Sequence, residues 1–144
     1  MTATVIYEGE LRTVALHNAS GTTIETDAPT DNQGKGGRFS PTDLLATALG
    51  SCMLTIMGQK ARDLHLDLKG TSIDIQKTMK PDPRRISGIA LNFHFPPGLV
   101  LSDKNRIILQ RAGDLCPVRQ SIHPDMEIEV NYNWHTAIED FSAF

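Results

Sequence analysis

The residues best suited to chemistry in this chain are its two cysteines, Cys52 and Cys116, 64 positions apart. A thiolate can attack an electrophile, open a disulfide or bind a soft metal, and the surrounding sequence narrows the choice. Zinc is disfavoured, because there is no Cys-x-x-Cys and no histidine pair at ligand spacing. His65, His94, His123 and His135 fall on different elements, so nothing argues for a metal site. A serine-hydrolase elbow fails too: in Ala48-Leu49-Gly50-Ser51-Cys52-Met53-Leu54 no glycine stands two residues after either nucleophile. A thiol hydrolase needs a general base beside Cys52, and none is recognisable. The default for a thiol in apolar sequence is a small buried hydrophobe.

Local physics separates the two. Cys116 precedes Pro117, the N-cap position of a short helix if Pro117 is its first residue, where free N–H groups favour a thiolate. Cys52 lies about three turns into a helix among apolar neighbours, where burial opposes ionisation unless a cation or hydrogen-bond donor approaches. Arg12, from a strand, and Arg38, from the loop before the helix, are the candidate cations, although the ordinary reading of each is a solvated surface arginine. Asp43 is nine residues before Cys52, which puts it on the opposite side and roughly 13 Å away along the axis. It reads as a capping carboxylate rather than a base. Thr42 is closer to Cys52 in angle but no nearer in height.

The element that positions Cys52 is the stretch Phe39 to Lys60, FSPTDLLATALGSCMLTIMGQK. Leu44, Leu45, Ala48, Leu49, Cys52, Met53, Ile56 and Met57 form the stripe of a helix facing a core. No charge interrupts Leu44 to Gln59, so the helix is expected to be covered on most sides. Ser40 can cap, Pro41 suits the first helical position and Asp43 sits in the positive first turn. Before the helix, residues 3–8, 11–17 and 22–26 read as strands of a meander, with turns at Glu8-Gly9-Glu10 and Asn18-Ala19-Ser20-Gly21. Residues 28–38, rich in Pro, Asp, Asn, Gln and Gly, read as a mobile loop. The helix is expected to end near Asp63. His65 to Met79 and Ile86 to Phe95 read as a long antiparallel hairpin around Lys80 to Arg85. A second helix opens at Ser102, with Ile107, Ile108, Ala112 and Leu115 as its buried stripe, and stops by Cys116 because the residue before a proline avoids helical angles. Pro117 to Ser121 reads as a further short helix. Met126 to Trp134 alternates as a strand, followed by a polar tail expected to be loosely held. The order βββ-α-ββ-α-β gives an α+β fold with a mostly antiparallel sheet.

At 144 residues, 40% hydrophobic and 22% charged, the chain reads as one domain, residues 1–144, with a real core. A formal charge of −3 and a pI near 5.9 give no reason to expect nucleic acid or an anionic membrane as partner. The opening MTATVIYEGE lacks the marks of a signal peptide, and the longest apolar stretch is too short and interrupted to span a bilayer. The expectation is a cytoplasmic protein whose cysteines form at most a transient, catalytic disulfide.

Ser40-Pro41-Thr42-Asp43-Leu44-Leu45-Ala46, then Ala48-Leu49-Gly50-Ser51-Cys52, with Cys116-Pro117-Val118 far downstream, resembles the OsmC/Ohr family of osmotically inducible and organic hydroperoxide resistance proteins. The resemblance spans essentially the whole chain. It implies an intertwined homodimer in which two long central helices are wrapped by antiparallel sheets. It also implies a thiol peroxidase acting on small organic hydroperoxides, without cofactor. Cys52 matches the peroxidatic cysteine, Cys116 the resolving cysteine that closes a Cys52–Cys116 disulfide, and Arg12 the arginine that holds the Cys52 thiolate. A dithiol, dihydrolipoyl in the hydroperoxide-resistance branch, would restore both thiols. Two positions depart from the pattern. Thr42 stands where the peroxidase branches carry a glutamate that pairs with the arginine, with Asp43 one residue later, and Arg119 stands where a serine is usual. Either Asp43 substitutes through a shifted helix start, or the arginine lacks that carboxylate. The alternative class is a stress-associated binding protein that keeps scaffold and thiols with little peroxidase activity.

Overall fold

A computed structural model describes residues 1–134. The polar tail and His135 lie outside the described residues. The chain forms two compact units that divide after Leu45.

In the N-terminal unit β1 (Ala3–Gly9), β2 (Arg12–His17) and β3 (Thr23–Asp27) form an antiparallel sheet in the order β1-β2-β3. The first turn falls one residue later than the sequence suggests. Gly9 pairs with Arg12, and the loop residues Glu10 and Leu11 both have positive φ, 52° and 64°. Two positive φ values make the tight turn whose twist matches flanking strands, adopted here by two non-glycine residues. In the second hairpin the register runs from Leu16 opposite Thr23 to Arg12 opposite Asp27. Residues 28–38 are more ordered in their bonding than a mobile loop. A single 3-10 turn (Thr30–Asn32) is stitched by Gly34 N–H to the Pro29 carbonyl and Gly36 N–H to the Ala28 carbonyl. Gly34 is obligatory, since a Cβ there would overlap the Ala28 carbonyl oxygen at 1.7 Å.

The first helix, α1 (Pro41–Asp63), ends where the sequence puts its end. Its buried residues are Ala46, Leu49, Gly50, Met53, Met57 and Ala61. The stripe is therefore narrower than the one read from sequence. Cys52 and Ile56 are half-buried, while Ala48, Ser51 and Thr55 are exposed, so the helix is not covered on most sides within this chain.

In the second unit the sheet order is β4-β5-β6, with β4 (Ser72–Lys80), β5 (Arg85–His94) and β6 (Glu127–Asn133). β4 starts seven residues later than read, because His65 takes a positive φ of 58° and residues 64–71 form turns after the helix. The sheet is not wholly antiparallel. β4 and β5 form the expected hairpin, but β5 and β6 run parallel, because α2 (Asp103–Asp114) and α3 (Pro117–Ser121) carry the chain back between them. Ile89, Leu91 and Phe93 of β5, Leu49, Met53 and Met57 of α1 and Leu109 of α2 make the core. Of the α2 stripe read from sequence, Ile107 and Leu115 are exposed; the helix turns Leu109 and Gly113 inward instead. Gly50 lets α1 approach the sheet, since a Cβ there would stand 2.6 Å from Ile75 Cδ1. Among the described residues no helix is long and apolar enough to cross a membrane.

Candidate active site

The two thiols share the second unit, with Cys52 near enough to act on the ionisation of Cys116. Cys52 comes from the middle of α1 and is half-buried, whereas Cys116 is completely buried. Cys116 caps α3 as the Cys-Pro step implies. Its Sγ accepts the Arg119 N–H at 3.4 Å, and Pro117 occupies the first helical position. The acidity expected from this cap does not follow. Burial pushes the Cys116 thiol up, and the neighbouring Cys52 pushes the same way; the Arg119 and Val118 N–H groups oppose this without reversing it. A five-residue helix with two N–H contacts cannot offset full desolvation.

A polar network that the sequence did not announce brackets Cys116. Arg119 Nη1 donates to Asp114 Oδ1 at 2.8 Å, and the Tyr132 hydroxyl donates to the same oxygen at 3.2 Å. Asp114 closes α2 and Arg119 lies on α3, so the pair ties the two helices together across Leu115-Cys116. Burial, followed by the Asp114 charge and hydrogen bond, raises the Tyr132 hydroxyl well above its ordinary range and keeps it a donor.

Arg12 lies in the N-terminal unit, where its guanidinium forks onto a carboxylate that sequence reasoning missed. Nε donates to Asp27 Oδ1 at 2.7 Å and Nη2 to Asp27 Oδ2 at 2.9 Å. The Asp27 side chain is 1% exposed, and its Oδ2 also accepts the Gly37 N–H at 3.0 Å. The Arg12 hydrogen bond, helped by Gly37, holds the Asp27 carboxyl below its ordinary range; the same bond strengthens the Arg12 charge. A signal for Asp27 was present: reflecting the chain about the Asn18–Gly21 turn sets residue 27 opposite Arg12. Arg38 is spent on Glu25 at 3.0 Å and on the Gly37 carbonyl. Asp43 forms a capping box with Ser40, each side chain accepting the other's N–H at 3.0 Å, and the Thr42 hydroxyl lies 3.1 Å from Ser40 Oγ. Among the described residues no group of three His, Cys, Asp or Glu side chains is placed to hold a metal ion.

The comparisons with known proteins agree on a family. Residues 34–131 match the model of OsmC-like proteins. A crystal structure of a Psychrobacter arcticus protein, proposed to act in the osmotic stress induced and detoxification response, is 50% identical, with a TM-score of 0.88 over 92% of this chain and 96% of that one. An organic hydroperoxide resistance protein OsmC from Legionella pneumophila is 17% identical, with a TM-score of 0.71 over 93% and 98% of the two chains. The organic hydroperoxide resistance protein OhrB of Bacillus subtilis is 15% identical, with a TM-score of 0.64 over 92% and 98%. The last two likenesses speak to the fold alone. No curated protein matches the sequence.

Proposed function

The chain belongs to the OsmC-like protein family, and we propose on that premise that it is a thiol peroxidase reducing organic hydroperoxides to alcohols. The observation that carries this reading is the inequality of two adjacent thiols. Cys116 is buried and held neutral, which leaves the nucleophile's role to the half-exposed Cys52. The Cys52 thiolate attacks the distal peroxide oxygen; the O–O bond breaks, the alkoxide takes a proton and leaves as alcohol, and sulfur is oxidised to the sulfenic acid. The Cys116 sulfur then attacks that sulfenic sulfur, water departs, and a Cys52–Cys116 disulfide forms. A dithiol, dihydrolipoyl groups by the resemblance, reduces the disulfide and is itself oxidised to a disulfide.

Arg12 enters through the resemblance as the cation that favours the Cys52 thiolate. A homodimer belongs to the same reading, supported by the N-terminal sheet. Val5, Ile6 and Tyr7 are consecutive residues, all more than half exposed, so both faces of β1 carry uncovered apolar side chains. A reducing compartment such as the cytoplasm would supply the dithiol.

The purified protein is expected to consume cumene or tert-butyl hydroperoxide when a dithiol is present, and Cys52→Ser to abolish this. Absence of turnover together with an unoxidised Cys52 would end the reading. The replacement of the family glutamate by Thr42 favours one competitor, a stress-associated binding protein. Intact mass after one equivalent of hydroperoxide decides between them: loss of two hydrogens marks catalysis, and an unchanged mass marks binding.

A further inference from the structure

We infer that Asp27 is the positioning residue for Arg12 in this chain, having taken over from the end of β3 the task the family gives to a glutamate at the start of the helix. The inference rests on the proposed function for the role of Arg12, and goes beyond it in naming what orients that arginine. Three observations within the N-terminal unit carry it.

First, the pairing is built by the sheet. Arg12 and Asp27 are directly opposite in the β2–β3 register, so backbone hydrogen bonds rather than two flexible side chains set their separation. Second, the contact is bidentate and its acceptor is buried. The fork uses Nε and Nη2, which fixes the guanidinium plane; among the described residues no acceptor takes Nη1, which points away from the carboxylate. An arginine held by one edge in this way presents its other edge to an anion. Third, the helix start serves another purpose. Position 42 is a threonine, and Asp43 is bonded into the capping box with Ser40. The loop is drawn into the same arrangement, because the Gly37 N–H completes the coordination of Asp27 Oδ2. A Cβ at Gly37 would stand 3.2 Å from that oxygen and 3.8 Å from Arg12 Nη2, so only glycine lets the loop backbone come this close without pressure on the pair.

The test measures the alkylation rate of Cys52 by iodoacetamide from pH 5 to 10, with Cys116→Ser as the background so that one thiol reports. Thermal melts verify that each variant is folded. Arg12→Ala is expected to move the midpoint of the rate profile up by about one pH unit, slowing alkylation about tenfold at neutral pH. Asp27→Asn is expected to move it the same way, and the Arg12→Ala/Asp27→Asn double variant to match Arg12→Ala alone. A positioning residue has nothing left to do once its arginine is gone, whereas a merely structural residue would add its own effect. Gly37→Ala keeps both charges and is expected to give a smaller upward shift that also vanishes with Arg12→Ala; it serves if Asp27→Asn does not fold. An unmoved midpoint in the folded Asp27 and Gly37 variants, or an additive double variant, overturns the inference while leaving the peroxidase reading intact. An unmoved midpoint in Arg12→Ala removes the arginine from the proposed function, and this inference with it.

Discussion

The neutral state of Cys116 has a kinetic consequence that can be measured directly. To close the disulfide, Cys116 must attack as a thiolate, yet burial raises it above the ordinary thiol value of about 8.5. Below its own midpoint the reactive fraction grows tenfold per pH unit. The rate of disulfide closure should therefore rise about 100-fold between pH 6.5 and 8.5 without levelling off. The assay oxidises Cys52 rapidly with one equivalent of hydroperoxide at each pH, then follows closure by quenching with dimedone and weighing the products. Cys116→Ser should accumulate the dimedone adduct at every pH. Disulfide closure that levels off below pH 8 would refute the reasoning, since it would mean that the α3 N–H groups outweigh desolvation after all. The same shift has a stability counterpart. A thiol raised in the folded state contributes stability below the ordinary unfolded value and loses it as pH rises through the folded one. The reduced protein should accordingly weaken at alkaline pH, and Cys116→Ser should flatten that limb.

Asp27 gives the opposite limb: its carboxyl is depressed in the fold, so the stability it contributes is present above about pH 3.9 and is lost as pH falls through the lowered value. Urea midpoints between pH 6 and 2.5 should fall in the parent and fall less steeply in Asp27→Asn. Leu91 is fully buried between Ile75 and Val130 in register and beneath α1 at Gly50, so Leu91→Ala should cost about 2–5 kcal/mol in urea unfolding. A loss under about 1 kcal/mol would show that the core is less tightly packed than its contacts indicate. Ser40→Ala removes the capping oxygen from a site only 2% exposed, where water cannot replace it, and should cost about 1 kcal/mol by the same measurement.

Asp27 also shows how far the sequence could be read. Arg12 is legible as a charged residue inside a strand, but its partner depends on register, and the residue pattern marks the third strand only as far as Thr26. Asp43 was legible as a cap from its place three residues after Ser40, because capping is a local geometry that backbone and spacing alone determine. Arg38 reads by default as a solvated surface arginine, and the fold shows which carboxylate it meets, Glu25. Asp114, Arg119 and Tyr132 come from two helices and β6, and no spacing rule relates them.

Local rules, then, determined the elements: the long helix and its end at Asp63, the cap at Ser102, the Cys-Pro step that opens α3, and the alternation that marks β5 and β6 as strands. These rest on interactions within a few residues, which sequence order records. Tertiary structure decided the parallel pairing of β5 with β6, because that depends on how α2 and α3 return the chain. It also decided the ionisation preference of Cys116. The N-cap argument was sound as local electrostatics, but desolvation and a second thiol outweighed it, and both come from residues distant in sequence. Arg12 found its carboxylate across a strand pair rather than along the helix, since a cross-strand register can bring together residues 15 positions apart that periodicity along one element never relates.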